Sequence, residues 1–273
     1  MVQYRSTTRL YYLAIIFLII LGAAALAAPI IAPFNPTSQD LDNRFLGSGL
    51  RHLLGTDNFG RDILSRIIYG SRSALLVGLI SVSIAVTLGT LVGLTAALSG
   101  GLVDNGLMLF MDSLLSFPTV LLAITVVSFL GYGLVQVMLA IGVIFSPVFA
   151  RLVRAETLAI KTEGYIEASR SLGSSTLKII FWHILPNLMG KVIVQCSITF
   201  ALSVVIEASL SYLGLGTQPP TASWGLMLKD ARNYLVQAPW MALYPGLAIA
   251  LTVFSFNIIG DSLSERFNPK IYR

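Results

Sequence analysis

The chain has 273 residues, 55% of them hydrophobic and 11% charged, with a net charge of +5 and a mean hydropathy of +0.80. A soluble domain carries roughly 25% charged residues, so this composition excludes an ordinary water-soluble fold. The positive charge forms no basic stripe with interleaved aromatics, which argues against a nucleic-acid partner and leaves membrane lipid as the expected surrounding.

Six segments of about 20 mainly apolar residues can be marked off, each long enough to cross a bilayer as a helix. Their unbroken apolar runs lack the alternation of a barrel wall, so an all-α polytopic membrane bundle is expected. The first segment, Leu10 to Ile31, has small residues from Ala23 to Ala28 but is too long for the apolar core of a cleaved leader. After it, Gly55, Gly60 and Gly70 mark turns, and Asp57, Arg61, Asp62 and Arg66 suit a solvent-facing or salt-bridged element outside the membrane. Ile63, Leu64, Ile67 and Ile68 set an apolar face among those charges, which predicts an interfacial helix that braces or gates one mouth of the bundle. Residues 1–73 are expected to form a first unit, and residues 74–273 a core of five spans.

The second span is Ala74 to Leu98. Its small residues Gly78, Ser81, Ser83, Gly89, Gly93 and Ala96 permit close helix crossings, within the bundle or with a second subunit. The third runs from Leu107 to Gly131 and the fourth from Leu134 to Ala150; Pro118 and Pro147 are expected to kink or break them and make room for a central cavity. The fifth, Val192 to Leu213, holds Cys196, the single cysteine, so no intrachain disulfide forms; the sixth is Met241 to Ile259. Ionisable groups inside spans are costly and face a partner or a water-filled path. Asp112, with Ser116 nearby, and Glu207 are therefore candidates for path lining or gating, and a pair with a neighbouring Arg is the alternative for Asp112.

Between the fourth and fifth spans, Glu156 to Lys191 is polar. Tyr165, Ile166, Ser169 and Leu172 recur at helical spacing, Glu163, Glu167 and Arg170 surround them, and Gly173 stands where a short helix would stop. That pattern fits a helix docked in a partner's groove or one resting on the membrane surface. Leu177 to Ile184 is apolar enough to follow the interface, with Pro186 expected to end it. Six spans put both termini on one side; that side carries eleven Lys and Arg against seven on the other, which places the termini and this loop in the cytoplasm.

The run Glu167-Ala168-Ser169, then Gly173, then Ile184-Leu185-Pro186 resembles the EAA loop of the membrane subunits of bacterial ATP-binding-cassette importers. A narrower resemblance adds to it. Leu54 to Asp62 (LGTDNFGRD), Glu207 to Gly216 (EASLSYLGLG), the QPPTASWG segment with Pro219, Pro220 and Trp224, and Phe256 to Asp261 with Asn268-Pro269 look like the dipeptide, oligopeptide and nickel permeases, most of all the second, C-type permease. The resemblance covers nearly the whole chain. It implies a type I importer bundle in the bacterial inner membrane, a second homologous permease, two ATP-binding subunits and an extracytoplasmic solute-binding protein. It also implies that Tyr165 to Leu172 is the coupling helix, with Tyr165, Ile166, Glu167, Ala168, Ser169, Arg170, Leu172 and Gly173 docking the ATPase. Ser169 departs from the usual Ala but is similarly small. ATP and magnesium are then expected on the partner ATPases and no cofactor on this chain, and the cargo is a peptide, or else nickel or a metal chelate.

Other classes fit less well. No G-x-x-x-x-G-K-[ST] phosphate loop is present, since Gly190-Lys191 lacks the upstream Gly, and neither H-E-x-x-H nor G-x-S-x-G occurs, so a transport subunit and not an enzyme is expected. His52 and His183 are too far apart to start a metal cluster. A self-contained, ion-coupled secondary transporter remains the alternative, although no inverted repeat relates the two halves.

Overall fold

The computed structural model describes residues 2–267, and among these it is built of helices without a strand. Asn268-Pro269 lies outside the described residues. In chain order the helices are α1 (Val2–Leu26), α2 (Ala28–Ile31), α3 (Ile63–Ser99), α4 (Gly101–Leu115), α5 (Thr119–Leu130), α6 (Leu134–Lys161), α7 (Gly164–Ser171), α8 (Thr176–Ile179), α9 (Leu185–Leu213), α10 (Trp224–Ala231) and α11 (Trp240–Phe267). Five stretches are long and apolar enough to cross a membrane: α1, α3, α6, the run from Thr176 to Leu213, and α11. A sixth span exists only as the pair α4 and α5, which meet at an angle of 96°.

That pair is the third span expected from Leu107 to Gly131, broken at Pro118 as expected and begun earlier, at Gly101. Pro118 has no N–H to continue the ladder and stands at the start of α5 with extended ψ, so the chain turns at Ser116-Phe117-Pro118. At 12 residues, α5 is about 18 Å long and too short by itself for a hydrocarbon core of about 30 Å. The other two prolines do not break their helical runs. Pro147 lies inside α6 without breaking it. Pro186 falls in the first turn of α9, just after a π-helical turn at Ile180–Ile184 in which the Leu185 N–H reaches back to Ile180 O. The wider turn accommodates a residue that cannot donate, and the helical run passes through it.

The predicted interfacial helix at Ile63 to Ile68 is also corrected: it is the first two turns of α3, which continues unbroken across residue 73 into the second span. Asp62 starts it by accepting from the Ser65 N–H at 2.8 Å and Ser65 Oγ at 2.7 Å, an N-cap that satisfies an orphan backbone donor.

α3, α6 and α9 form the centre of the bundle. At the α3–α6 crossing a Cβ on Gly89 would lie 2.7 Å from Ser146 O, and one on Gly93 would lie 2.6 Å from Ala150 O. The Gly89-x-x-x-Gly93 pair therefore serves packing within this chain. Val77, Ala85, Ile141, Phe149, Val153, Ile184 and Leu188 fill the core around it. The guanidinium of Arg266, near the end of α11, lies 5.2 Å from the Tyr11 ring of α1, and Phe267 lies against Gly190, one turn from the Asn187 that bonds Tyr165, so the first half of α1 and the end of α11 share one end of the bundle with α7. We call this the α7 end; α10 marks the other.

Candidate functional site

At the α7 end, the expected short helix is present as Gly164–Ser171. Leu172 caps it, and Gly173 stops it at φ +80°, the left-handed conformation a glycine adopts without strain. Ile166 is the one side chain of α7 that is fully buried, and it joins the core cluster of the bundle. Beside it, Tyr165 Oη accepts a hydrogen bond from Asn187 Nδ2 at 3.3 Å, and its ring tilts against His183 at 5.8 Å. These contacts key α7 to the foot of α9. The opposite face presents Glu167, Ala168, Arg170 and Leu172, with Ser169 half-buried between the faces. Leu172 is 87% exposed, and Leu177, Phe181 and Trp182 extend an apolar ledge beyond it. The helix is thus gripped on one side and bare on the other.

The α10 end is built in the contrary manner. Asp57, Arg61, Asp62 and Arg66 are all buried, each 6% exposed or less. The expectation of a salt-bridged element holds; the expectation of solvent-facing charges does not. Arg61 Nε donates to Asp57 Oδ2 at 2.6 Å, and its Nη2 donates to Asp230 on α10 at 2.8 Å. Arg66 stands 3.7 Å from Asp57 and donates through Nη1 to Pro36 O at 3.1 Å. His52 Nδ1 pairs with Asp62 Oδ1 at 2.9 Å, and its ring stacks on Phe34. Each carboxylate therefore ties a different piece of chain to the start of α3. Two indoles complete the assembly: Trp224 Nε1 donates to Ile67 O at 3.1 Å, and Trp240 Nε1 donates to Thr56 O at 3.2 Å. Gly70 is required here, since a Cβ on it would meet Trp224 Cδ1 at 2.7 Å. His52 and Asp230 carried no signal in the sequence, because their partners are fixed only by the fold.

The candidate path residues Asp112, Ser116 and Glu207 are not brought together. Asp112 accepts from Arg151 Nη2 at 2.6 Å at the exterior of this chain. Ser116 donates to Ser113 O at 2.7 Å, beside the bend. Glu207 is wholly buried at the far end of α9, where it accepts from Ser211 Oγ at 2.7 Å and Thr217 Oγ1 at 3.2 Å. Ser211 Oγ in turn accepts from the Thr217 N–H at 2.9 Å. Glu207 thereby folds the Gly214 to Thr217 turn back onto its own helix, next to α10. Between α3, α6 and α9 a crevice of about 410 Å3 opens, lined by Thr87, Thr90, Met189 and Cys196 among others. Among the described residues no three His, Cys, Asp or Glu side chains gather in a metal-binding group.

Comparison with known proteins bears on the whole of this arrangement. Residues 85–273 match the family described as binding-protein-dependent transport system inner membrane component. The chain is 42% identical over 257 residues to a glutathione transport system permease protein, GsiD, of Pectobacterium atrosepticum, covering 94% of this chain and 85% of that protein. It is 41% identical over 265 residues to the di/tripeptide transport system permease protein DppC of Pseudomonas aeruginosa, covering 94% and 87%. Among solved structures, an inward-facing conformation of the MetNI methionine ABC transporter superposes with a TM-score of 0.61 at 19% identity, over 76% of this chain and 98% of that one, a likeness of fold. Family, relatives and fold agree: the chain belongs to the inner membrane components of binding-protein-dependent transport systems, as an ABC-importer permease.

Proposed function

We propose that this permease forms half of the translocation path of a peptide importer, working with a second homologous permease, two ATP-binding subunits and an extracytoplasmic solute-binding protein. The observation that carries the reading is α7: a helix anchored by Ile166 and Tyr165, with Glu167, Ala168, Arg170 and Leu172 turned away from the bundle. A helix held on one face and unpartnered on the other fits a groove in another protein. The α7 end, with both termini, then faces the cytoplasm, and ATP and magnesium are held by the partner subunits. Closure of the ATPases moves α7, and the bundle alternates between inward- and outward-facing states. The named relatives carry glutathione and di- or tripeptides, which favours a peptide cargo over nickel or a chelate. Asp112, Ser116 and Glu207 stay in this reading as residues to be tested for transport.

Affinity capture of the full chain from its own membrane, followed by native mass spectrometry, tests the assembly. Recovery with a second permease and two ATPases is expected; recovery alone, beside a control transporter that stays assembled, overturns the reading. Impermeant thiol labelling of Ser174→Cys from the cytoplasmic side only is the expected topology.

A further inference from the structure

α6 leads into α7 through Thr162 and Glu163 alone. Its last turns carry three cations, and each is committed to a neighbour. Arg154 donates through Nε and Nη2 to the two carboxylate oxygens of Asp104, at 2.5 and 2.6 Å. Arg151 donates through Nε and Nη2 to Asp112 Oδ1, at 2.9 and 2.6 Å. Lys161 Nζ donates to Ala97 O of α3 at 2.7 Å. Both carboxylates belong to α4, one near its start and one near its end.

α4 is bounded by a turn at each end. Gly100 and Gly101, with φ +65° and +55°, join it to α3, and a Cβ on either would meet nothing within 4 Å. Ser116-Phe117-Pro118 joins it to α5 through the 96° bend. Its outward side is apolar, with Leu102, Leu109 and Phe110 at least 59% exposed. Lateral contacts set its orientation between these turns: Met111 is buried, and the guanidinium groups of α6 hold its two carboxylates, the two-pronged Arg154–Asp104 fork fixing orientation as well as distance. Asp104 is nearly buried in its pair with Arg154, and breaking such a pair leaves an uncompensated charge, so this pair is expected to survive a movement of the helices.

We propose that Asp104 and Asp112 are positioning residues that lash α4 to the foot of α6, so that α4 travels with α7 as one body and carries its displacement across the bend to α5. The input rests on the docking reading of α7. The tie itself does not, and the two are separable by experiment.

The test uses the full chain assembled with its partners in lipid nanodiscs, with Cys196→Ser and spin labels at Leu109 on α4 and Ser171 on α7. A second label pair, Leu109 and Thr37, spans the bundle. Double electron–electron resonance is recorded without nucleotide and after trapping with ATP and vanadate. In the native charge pattern the Leu109–Ser171 distance is expected to be narrow and the same in both states, while the Leu109–Thr37 distance changes. Asp104→Arg is expected to broaden the first distance and to cut the trapped population seen by the second roughly tenfold, within the range of site-to-site coupling. Adding Arg154→Asp to that variant should restore both, which a misfolded chain would not do, and Asp104→Asn should fall between. Two results overturn the proposal: a Leu109–Ser171 distance that shifts on trapping as much as the other, or an Asp104→Arg chain indistinguishable from native. If native chains retain no ATPase and show no response, while Asp104→Arg still broadens the Leu109–Ser171 distance and the swap restores it, the docking reading fails and the tie stands.

Discussion

The two ends of the bundle use charge in opposite ways. At the α10 end, Asp57, Arg61, Asp62 and Arg66 are buried, with Arg61 and Arg66 at Asp57, Arg61 at Asp230 and Asp62 at His52, so these four groups face inward to stretches of the same chain. At the α7 end, Glu167 and Arg170 point away from the bundle, and Ile166 and Tyr165 hold the helix. One end is closed upon itself, and the other is finished by something else. The difference teaches how to separate stability from coupling in a single chain, since damage to the first end should unfold the permease and damage to the second should isolate it.

The largest effect is expected at Arg61, which bridges Asp57 and Asp230. Replacing it with Ala strips half-buried Asp230 of its partner and leaves buried Asp57 with Arg66 at 3.7 Å as its remaining ionic neighbour, and should cost about 3–5 kcal/mol. Loss of monodisperse protein in fluorescence-detected size-exclusion chromatography checks this, and Arg61→Lys should recover only part, because an ammonium cannot reproduce the fork to two acids. Next comes the α3–α6 crossing. Gly89→Leu drives a side chain into Ser146 O and Phe149, and overpacking of this kind costs about 1–3 kcal/mol, readable as a lower midpoint of thermal unfolding in detergent. Glu207→Leu, which strips Ser211 and Thr217 of their shared acceptor, should cost about 1–3 kcal/mol, with Glu207→Gln milder since one oxygen remains. The smallest stability effect belongs to the docking face. Leu172→Ala should stay within about 0.5 kcal/mol of native yet release the ATPase subunits in a pull-down. A Leu172→Ala chain that loses stability but keeps its ATPases would erase the contrast between the ends.

The spans were legible because an apolar run of membrane length has few alternatives, and α7 was legible because Ile166, Ser169 and Gly173 give both a face and a stop. What escaped did so for physical reasons. The hydropathy starts the second span at Ala74 because Arg66 and Arg72 interrupt it, but a helix is not ended by charge, and Arg66 is wholly buried within it. Pro186 signals a break in the sequence because local rules do not foresee a π turn that accommodates it. Arg61 and Asp230 are 169 residues apart, and no spacing rule links them; Gly70 likewise gave a turn signal in the sequence and proves to be the seat of the Trp224 indole. The bend at Pro118 was foreseen as a kink or break, without its angle.

The bond between Trp224 and Ile67 has a bearing on how the chain is made. Its two partners are separated by 157 positions, so during synthesis the first turns of α3 enter the membrane long before their indole, or the Asp230 carboxylate, has been translated. Until then Arg61 and Arg66 have Asp57 but not the complete set of neighbours that encloses them. Long-range closures of this sort are slow and leave unsatisfied groups open to quality control. The α10 end is therefore completed late, and a nascent permease stalled before residue 224 should be recognised and degraded by membrane proteases although four of its spans are already in place.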